Sequence, residues 1–143
     1  MLIQIPITQI HQYWQHIRYA ALAVNPQWTR DAEIGGYYRN LLINLLSGNY
    51  QAFVELNGNE IASMIITRIL EDAGKRAHLI MEVIYGFSPV EDRKGDLNDM
   101  EKFAKNIGCK SVVCYPGNPM AQNAAKHAGF HKIAEIFVSW IGE

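Results

Sequence analysis

One carboxylate interrupts an otherwise apolar run, Leu79-Ile80-Met81-Glu82-Val83-Ile84. Burial in such a run disfavours the charged form and lifts a carboxyl pKa toward the range useful to a general base. A plain half-exposed strand with Glu82 turned to solvent or to a cleft fits the pattern equally well. A second group of chemically capable residues is the charged stretch Glu91 to Gly95, with Arg93, Lys94 and Gly95 directly before a helical pattern. Backbone N–H groups that open a helix bind anions. Glu91, Asp92, Asp96 and Asp99 crowd the same place, and carboxylates there complement the helix dipole themselves. Asp96 reads as the helix N-cap.

Other chemistries are disfavoured by spacing. His127 and His131 flank Gly129 at a helix end and so do not share one helix face, while His11 and His16 lie five apart and flank the apolar stripe of the first helix. No HExxH and no Cys/His cluster suggests a metal. No GxSxG elbow and no GxxxxGK[ST] loop occurs. Cys109 and Cys114 do not form a CxxC pair and read as reduced thiols, with Cys114 on a buried strand. The aromatics Tyr13, Trp14, Tyr19, Trp28, Tyr37 and Tyr38 gather in the first third and read as core packing, with an acceptor or partner pocket as the functional alternative.

The elements that position these residues follow from the periodicity. Leu2 to Ile7 reads as a first strand and Thr8 as the cap of a helix carrying Ile10, Trp14, Ile17, Ala21 and Val24 on one face. Asn25-Pro26 ends that helix, Thr29 can cap a second, and Gly35-Gly36 marks a break or bend. Tyr38, Leu41, Leu42, Leu45 and Leu46 form the second apolar face, closed by Gly48. The period then becomes two. Tyr50 to Leu56 and Glu60 to Leu70 flank Asn57-Gly58-Asn59 as a hairpin. A third strand of the meander runs from Ala77 to Phe87. A helix with Leu97, Met100, Phe103, Ala104 and Ile107 ends at Gly108. A short strand, Lys110 to Tyr115, leads to a helix with Pro119 in its first turn and Ala121, Ala124, Ala125 and Ala128 along one side. A last strand, Lys132 to Trp140, closes the chain. The order β-α-α-β-β-β-α-β-α-β predicts an α/β (mixed α+β) single domain over 1–143, with parallel pairing only where a helix crosses over.

The segment Asn118-Pro-Met-Ala121-Gln-Asn-Ala124-Ala125-Lys-His-Ala-Gly129-Phe130 keeps Asn, Ala, Gly and Phe in register with the last helix of the GNAT (Gcn5-related N-acyltransferase) family. With the element order, the chain resembles that family over nearly its whole length. The resemblance implies transfer of an acyl group, acetyl above all, from acyl-CoA to a small-molecule or protein amine. It implies acetyl-CoA as co-substrate and no metal. The donor would lie where the fourth and fifth strands splay, with Ile84, Tyr85, Gly86 and Phe87 offering backbone groups to it and Gly86 marking a bulge. Its diphosphate would meet Arg93, Lys94 and Gly95, and Asn118 would line the same cleft. Catalysis would fall to Glu82 as base and Tyr115 as acid.

The sequence also departs from the family pattern. Asp92 stands where Arg or Gln belongs, Leu97 where a second small residue belongs, and Ala125 where the family often has a proton-donating Tyr. There is little room for the usual final hairpin. These departures imply the alternative of a catalytically inactive structural or interaction module. Degenerate GNAT-like proteins of this kind are encoded by some bacteriophages, including virion-associated ones. The missing hairpin would leave Ile136 to Trp140 to pair with another chain, as a homo-oligomer or with virion proteins.

Composition bounds the rest. With 143 residues, nearly half of them hydrophobic and 19% charged, the chain suits one folded core. A net charge of -1 without a Lys/Arg run points away from nucleic acid. No apolar run is long enough to span a bilayer, and no secretory leader is legible, so a cytoplasmic protein is expected.

Overall fold

In the computed structural model the residues described are 1–24, 34–86, 93–116, 119–135, 137 and 139–141. Five strands form one sheet in the order β1 (Ile3–Gln4), β2 (Tyr50–Asn57), β3 (Glu60–Glu71), β4 (Ala77–Gly86) and β5 (Val112–Cys114). Neighbours are antiparallel except β4 and β5, which run parallel because helix α3 (Arg93–Asn106) crosses between them. Helices α1 (Ile10–Val24) and α2 (Ile34–Ser47) precede β2, and α4 (Pro119–His127) follows β5.

Apolar alternation along the strands creates two cores. Ala52, Val54, Met64, Ile66 and Val83 pack with Ile10, Ile17, Ala20, Leu41 and Leu45 of α1 and α2. Phe53, Ile65, Leu79 and Met81 pack on the other face with Met100 and Ala104 of α3. Adjacent residues of β2 and β3 therefore serve opposite layers, as a period of two requires. The alanine side of α4 is half-buried as predicted, and Phe130 after it packs against the α3 core.

The Asn57-Gly58-Asn59 hairpin forms as predicted, with Gly58 at φ +66°. Several boundaries differ from expectation. The first strand pairs over only two residues, because Pro6 cannot donate to the ladder and instead leads a 3-10 turn at Ile7–Gln9 that contains Thr8. Thr8 is therefore not the cap of α1. Gly35 and Gly36 lie inside α2 rather than breaking it. Helix α3 starts at Arg93, so Asp96 sits in its first turn and is not the N-cap. Asn25-Pro26, Trp28, Thr29, Phe87, Glu91, Asp92 and Asn118 lie outside the described residues, as does Ile136.

The expected last strand is not present among the described residues of 131–140. Ile133 and Phe137 are 90% and 87% exposed. No described residue of this segment joins the ladder of the five-stranded sheet. Among the described residues no helix is long and apolar enough to cross a membrane.

Candidate functional site

The register of β3 with β4 contains one extra residue. Ile66 pairs with Val83 and Thr67 with Met81, so Glu82 is the inserted residue of a β-bulge. The sequence-based expectation placed this bulge at Gly86. Gly86 instead pairs with Ser63 so closely that a Cβ on it would lie 2.9 Å from the Ser63 Cβ. The bulge explains how β4 serves both layers. Leu79 and Met81 face the α3 core, whereas Val83, also odd-numbered, faces α1 and α2.

Pairing of β4 with β5 stops at the same place. Leu79, Ile80 and Met81 pair with Val112, Val113 and Cys114, and β5 ends there while β4 runs on to Gly86. The two strands are therefore laddered up to the bulge and unladdered beyond it. Met81 does not fill the opening, since it packs in the α3 core. Tyr85 turns to the α1 face and stacks edge-on against Tyr19, ring centroids 5.7 Å apart. Ile84 is exposed.

The Glu82 side chain is covered, one of the two outcomes its apolar run left open, but it is not isolated. Arg68 Nε on β3 donates to its Oε2 at 2.9 Å, and the side chains are 24% and 8% exposed respectively. Burial acts to lower the Arg68 pKa, but the hydrogen bond and charge of Glu82, with Tyr50 and Tyr115 nearby, outweigh it and raise the value. Arg68 thus links the two expected catalytic residues: Glu82 is its ion-pair partner, and Tyr115, exposed just past β5, lies within its electrostatic reach. Around the pair stand further phenols. Burial chiefly, then the Glu82 charge, raises the pKa of both Tyr37 on α2 and Tyr50 on β2. The hydroxyls of Tyr37 and Tyr38 are buried without a hydrogen-bond partner. Such orphaned polar atoms are uncommon in folded proteins.

On the same face of the sheet a cavity of about 800 Å³ opens between α1 and the β2–β3 hairpin. Tyr13, His16, Tyr19, Glu60 and Tyr85 are among its lining. Of the aromatics expected to pack the core, Tyr13, Trp14, Tyr37 and Tyr38 do so, while Tyr19 is exposed at this cavity.

The start of α3 carries Arg93, Lys94 and Gly95 in its first turn. A Cβ on Gly95 would meet nothing within 4 Å, so space beside that turn is open. Its carboxylates are drawn inward. The Asp99 carboxylate accepts from the Leu2 N–H at 2.9 Å. Asp96 is 6% exposed and shares the Ser63 hydroxyl with Glu55, at 3.2 and 3.3 Å. Burial first, and the Glu55 carboxylate second, push Asp96 up to about 6, while Glu55 is pulled below its usual range by its bond with Asp96 and by the N-terminal ammonium. Sequence reasoning placed Asp96 at the helix mouth. It missed this pair because Glu55 and Ser63 come from other strands.

Arg68 was also missed. Its signal was a lone cation in the apolar stretch Met64 to Leu70, but matching it to Glu82 required the bulged register. Among the described residues no group of three His, Cys, Asp or Glu side chains could hold a metal ion.

No protein-family model and no curated protein sequence matches this chain, so its likeness to known proteins is one of structure. It is similar to a GCN5-related N-acetyltransferase from Ralstonia eutropha, with a TM-score of 0.71, 18% identity and 99% of each chain covered. It is similar to an acetyltransferase from Clostridium acetobutylicum solved with acetyl-CoA, with a TM-score of 0.67, 10% identity, and 99% of this chain and 96% of that chain covered. An aminoglycoside acetyltransferase from an uncultured soil metagenomic sample, in complex with sisomicin, aligns with a TM-score of 0.68 at 14% identity, covering 98% of this chain and 95% of that chain. The fold is that of the GNAT acetyltransferases.

Proposed function

We propose that the protein is an acetyl-CoA-dependent N-acetyltransferase whose chemistry is centred on the Glu82 bulge. The observation that carries this reading is the coincidence of three features at one point of β4: the bulge, the end of the β5 ladder, and the buried Arg68–Glu82 pair. An extended donor pairs along a strand edge, and among the described residues the β5 ladder on β4 ends at Met81. Leu79 N donates to Ser111 O, so its edge faces β5. Strand alternation, with one residue inserted at the bulge, turns the Ile84 N–H to the same side. That N–H would polarise the thioester carbonyl. The open space at Gly95 and the inward turn of Asp96 and Asp99 leave the first turn of α3, with Arg93 and Lys94, to take the diphosphate.

In the reaction the acceptor amine nitrogen bonds to the acyl carbon as its proton passes to Glu82, whose Oε1 is not the oxygen used by Arg68. The carbon–sulfur bond breaks, and the CoA thiolate takes a proton from Tyr115. Arg68 is a positioning residue that fixes the Glu82 carboxylate. The unpartnered Tyr37 hydroxyl is available to a polar atom of the acceptor. Structural neighbours acting on aminoglycosides support a small polyamine-like acceptor, and the Glu60 carboxylate at the cavity suits a cationic one.

The test is acetyl-CoA binding by calorimetry, followed by thiol release with a panel of amines. The Glu82→Gln variant is expected to bind acetyl-CoA like the wild type and lose about 100-fold or more in kcat. Unchanged kcat in a folded Glu82→Gln variant removes Glu82 from the mechanism.

A further inference from the structure

A second chain of chemically matched groups lies at the opposite end of β4. His78, four residues before the bulge and so about 13 Å from it, uses both ring nitrogens. Its Nδ1 is 2.6 Å from the Ser111 hydroxyl just before β5, and its Nε2 is 2.8 Å from Asp72 Oδ2 in the β3–β4 turn. Asp72 is held in place by further bonds. Its Oδ1 accepts from Gly74 N at 2.8 Å and Arg76 N at 3.1 Å, and its Oδ2 also accepts from Arg76 Nε at 3.0 Å. The hydrogen bond from His78 and those from the turn keep the Asp72 carboxyl well below the usual carboxylate range.

The turn closes without the His78 and Ser111 bonds. Asp72 N donates to Arg76 O and Lys75 N to Asp72 O, both at 2.9 Å, and Oδ1 takes the Gly74 and Arg76 amides. His78 and Ser111 therefore add nothing that the turn requires. What they add is a proton path. An ionised Asp72 facing Nε2 fixes the proton there, which leaves the Nδ1 lone pair to accept from Ser111 O–H. A hydroxyl, a base within hydrogen-bond reach and an anion orienting that base are the three parts of an activated nucleophile. His78 and Ser111 are both partly accessible to solvent.

We propose that Ser111 is an activated nucleophile, with His78 as its base and Asp72 orienting the base, reactive toward small activated carboxylic esters. As the Ser111 Oγ bonds to the acyl carbon, its proton moves to His78 Nδ1. The bond from the acyl carbon to the leaving oxygen breaks, and that oxygen takes the proton from His78. Water then attacks the acyl-serine, giving one proton to His78, and the acid departs as Ser111 regains its proton. Only water and the ester are consumed. The group stands apart from the Glu82 bulge, so this reactivity needs no acetyl-CoA.

The experiment uses the full chain without acetyl-CoA, treated with p-nitrophenyl acetate and separately with a fluorophosphonate probe, followed by peptide mass spectrometry. The expected result is a burst of about one equivalent of p-nitrophenol and a single phosphonylated residue, Ser111. Ser111→Ala abolishes both. His78→Gln lowers the labelling rate by about 100-fold while thermal melts show that the variant is folded. No label on Ser111 in the folded wild type at millimolar probe overturns the proposal. So does a labelling rate unchanged in folded His78→Gln.

Discussion

Replacing Arg68 by Met removes the cation beside Glu82 and keeps much of the aliphatic stem that fills the space. The Glu82 side chain is only 8% exposed, so water cannot take over from the guanidinium. At an effective dielectric of about 20, unit charges 4 Å apart attract by about 4 kcal/mol. Breaking a buried pair on one side costs about 3–5 kcal/mol, because a charge is left without compensation. Arg68 is 24% exposed, which screens the pair and favours the lower end, about 3 kcal/mol. The reverse change, Glu82→Gln, is expected to cost about 1 kcal/mol, since the freed guanidinium can reach solvent and Gln can still accept from it. The double variant should then cost much less than the sum of the two. Urea unfolding at pH 7 measures all three, and a loss of 3 kcal/mol corresponds to roughly 10 °C in Tm for a domain of this size. The reasoning fails if Arg68→Met costs under about 0.5 kcal/mol, or if the two single changes simply add.

Four further outcomes are expected. Asp96 holds its proton to about 6 in the fold against an ordinary 3.8, so it contributes stability that is full below pH 3.8 and lost as pH rises through 6, up to about 3 kcal/mol; Glu55, lowered, works with the opposite sign and takes part of this back. Asp96→Asn should flatten that decline, so that in denaturant melts from pH 4 to 8 the variant gains on the wild type between pH 4 and 6 and keeps that gain above pH 6. Gly86→Ala should destabilise by about 1–3 kcal/mol through its 2.9 Å clash with Ser63, whereas Gly95→Ala, a helical glycine facing open space, should stabilise by about 0.5–1 kcal/mol and yet weaken acetyl-CoA binding in calorimetry. Burial lifts the Cys114 thiol to about 11, so alkylation by iodoacetamide at pH 8 should be slower there than at a free peptide cysteine, as read by mass spectrometry.

Much of the scaffold was legible because local signals agreed. The turn at Gly58, the switch of period from helix to strand, and Gly108 and Gly129 at positive φ each specify structure within a few residues. The candidate site was legible only in part. Glu82 stood out as a charge in an apolar run, but its partner and its bulge depend on how β3 and β4 align, and a one-residue insertion leaves no mark in composition. The Glu55–Ser63–Asp96 contact and the Asp72–His78–Ser111 chain join residues up to 41 and 39 positions apart respectively, beyond the reach of any spacing rule. The last strand was misread for a related reason. Lys132 to Trp140 carries strand-forming residues, but local propensity does not fix whether a segment is laddered, and its described residues are not.

The central claim is that acetyl-CoA binds where β4 continues past the end of β5. Backbone NMR titration of the full chain with acetyl-CoA tests it most directly. The account predicts that amide shifts concentrate at Ile84 to Gly86 and at Arg93 to Gly95, and that thiol is released once an acceptor amine is added. No shifts at millimolar acetyl-CoA would contradict it, and would leave a GNAT-fold domain that does not use this donor.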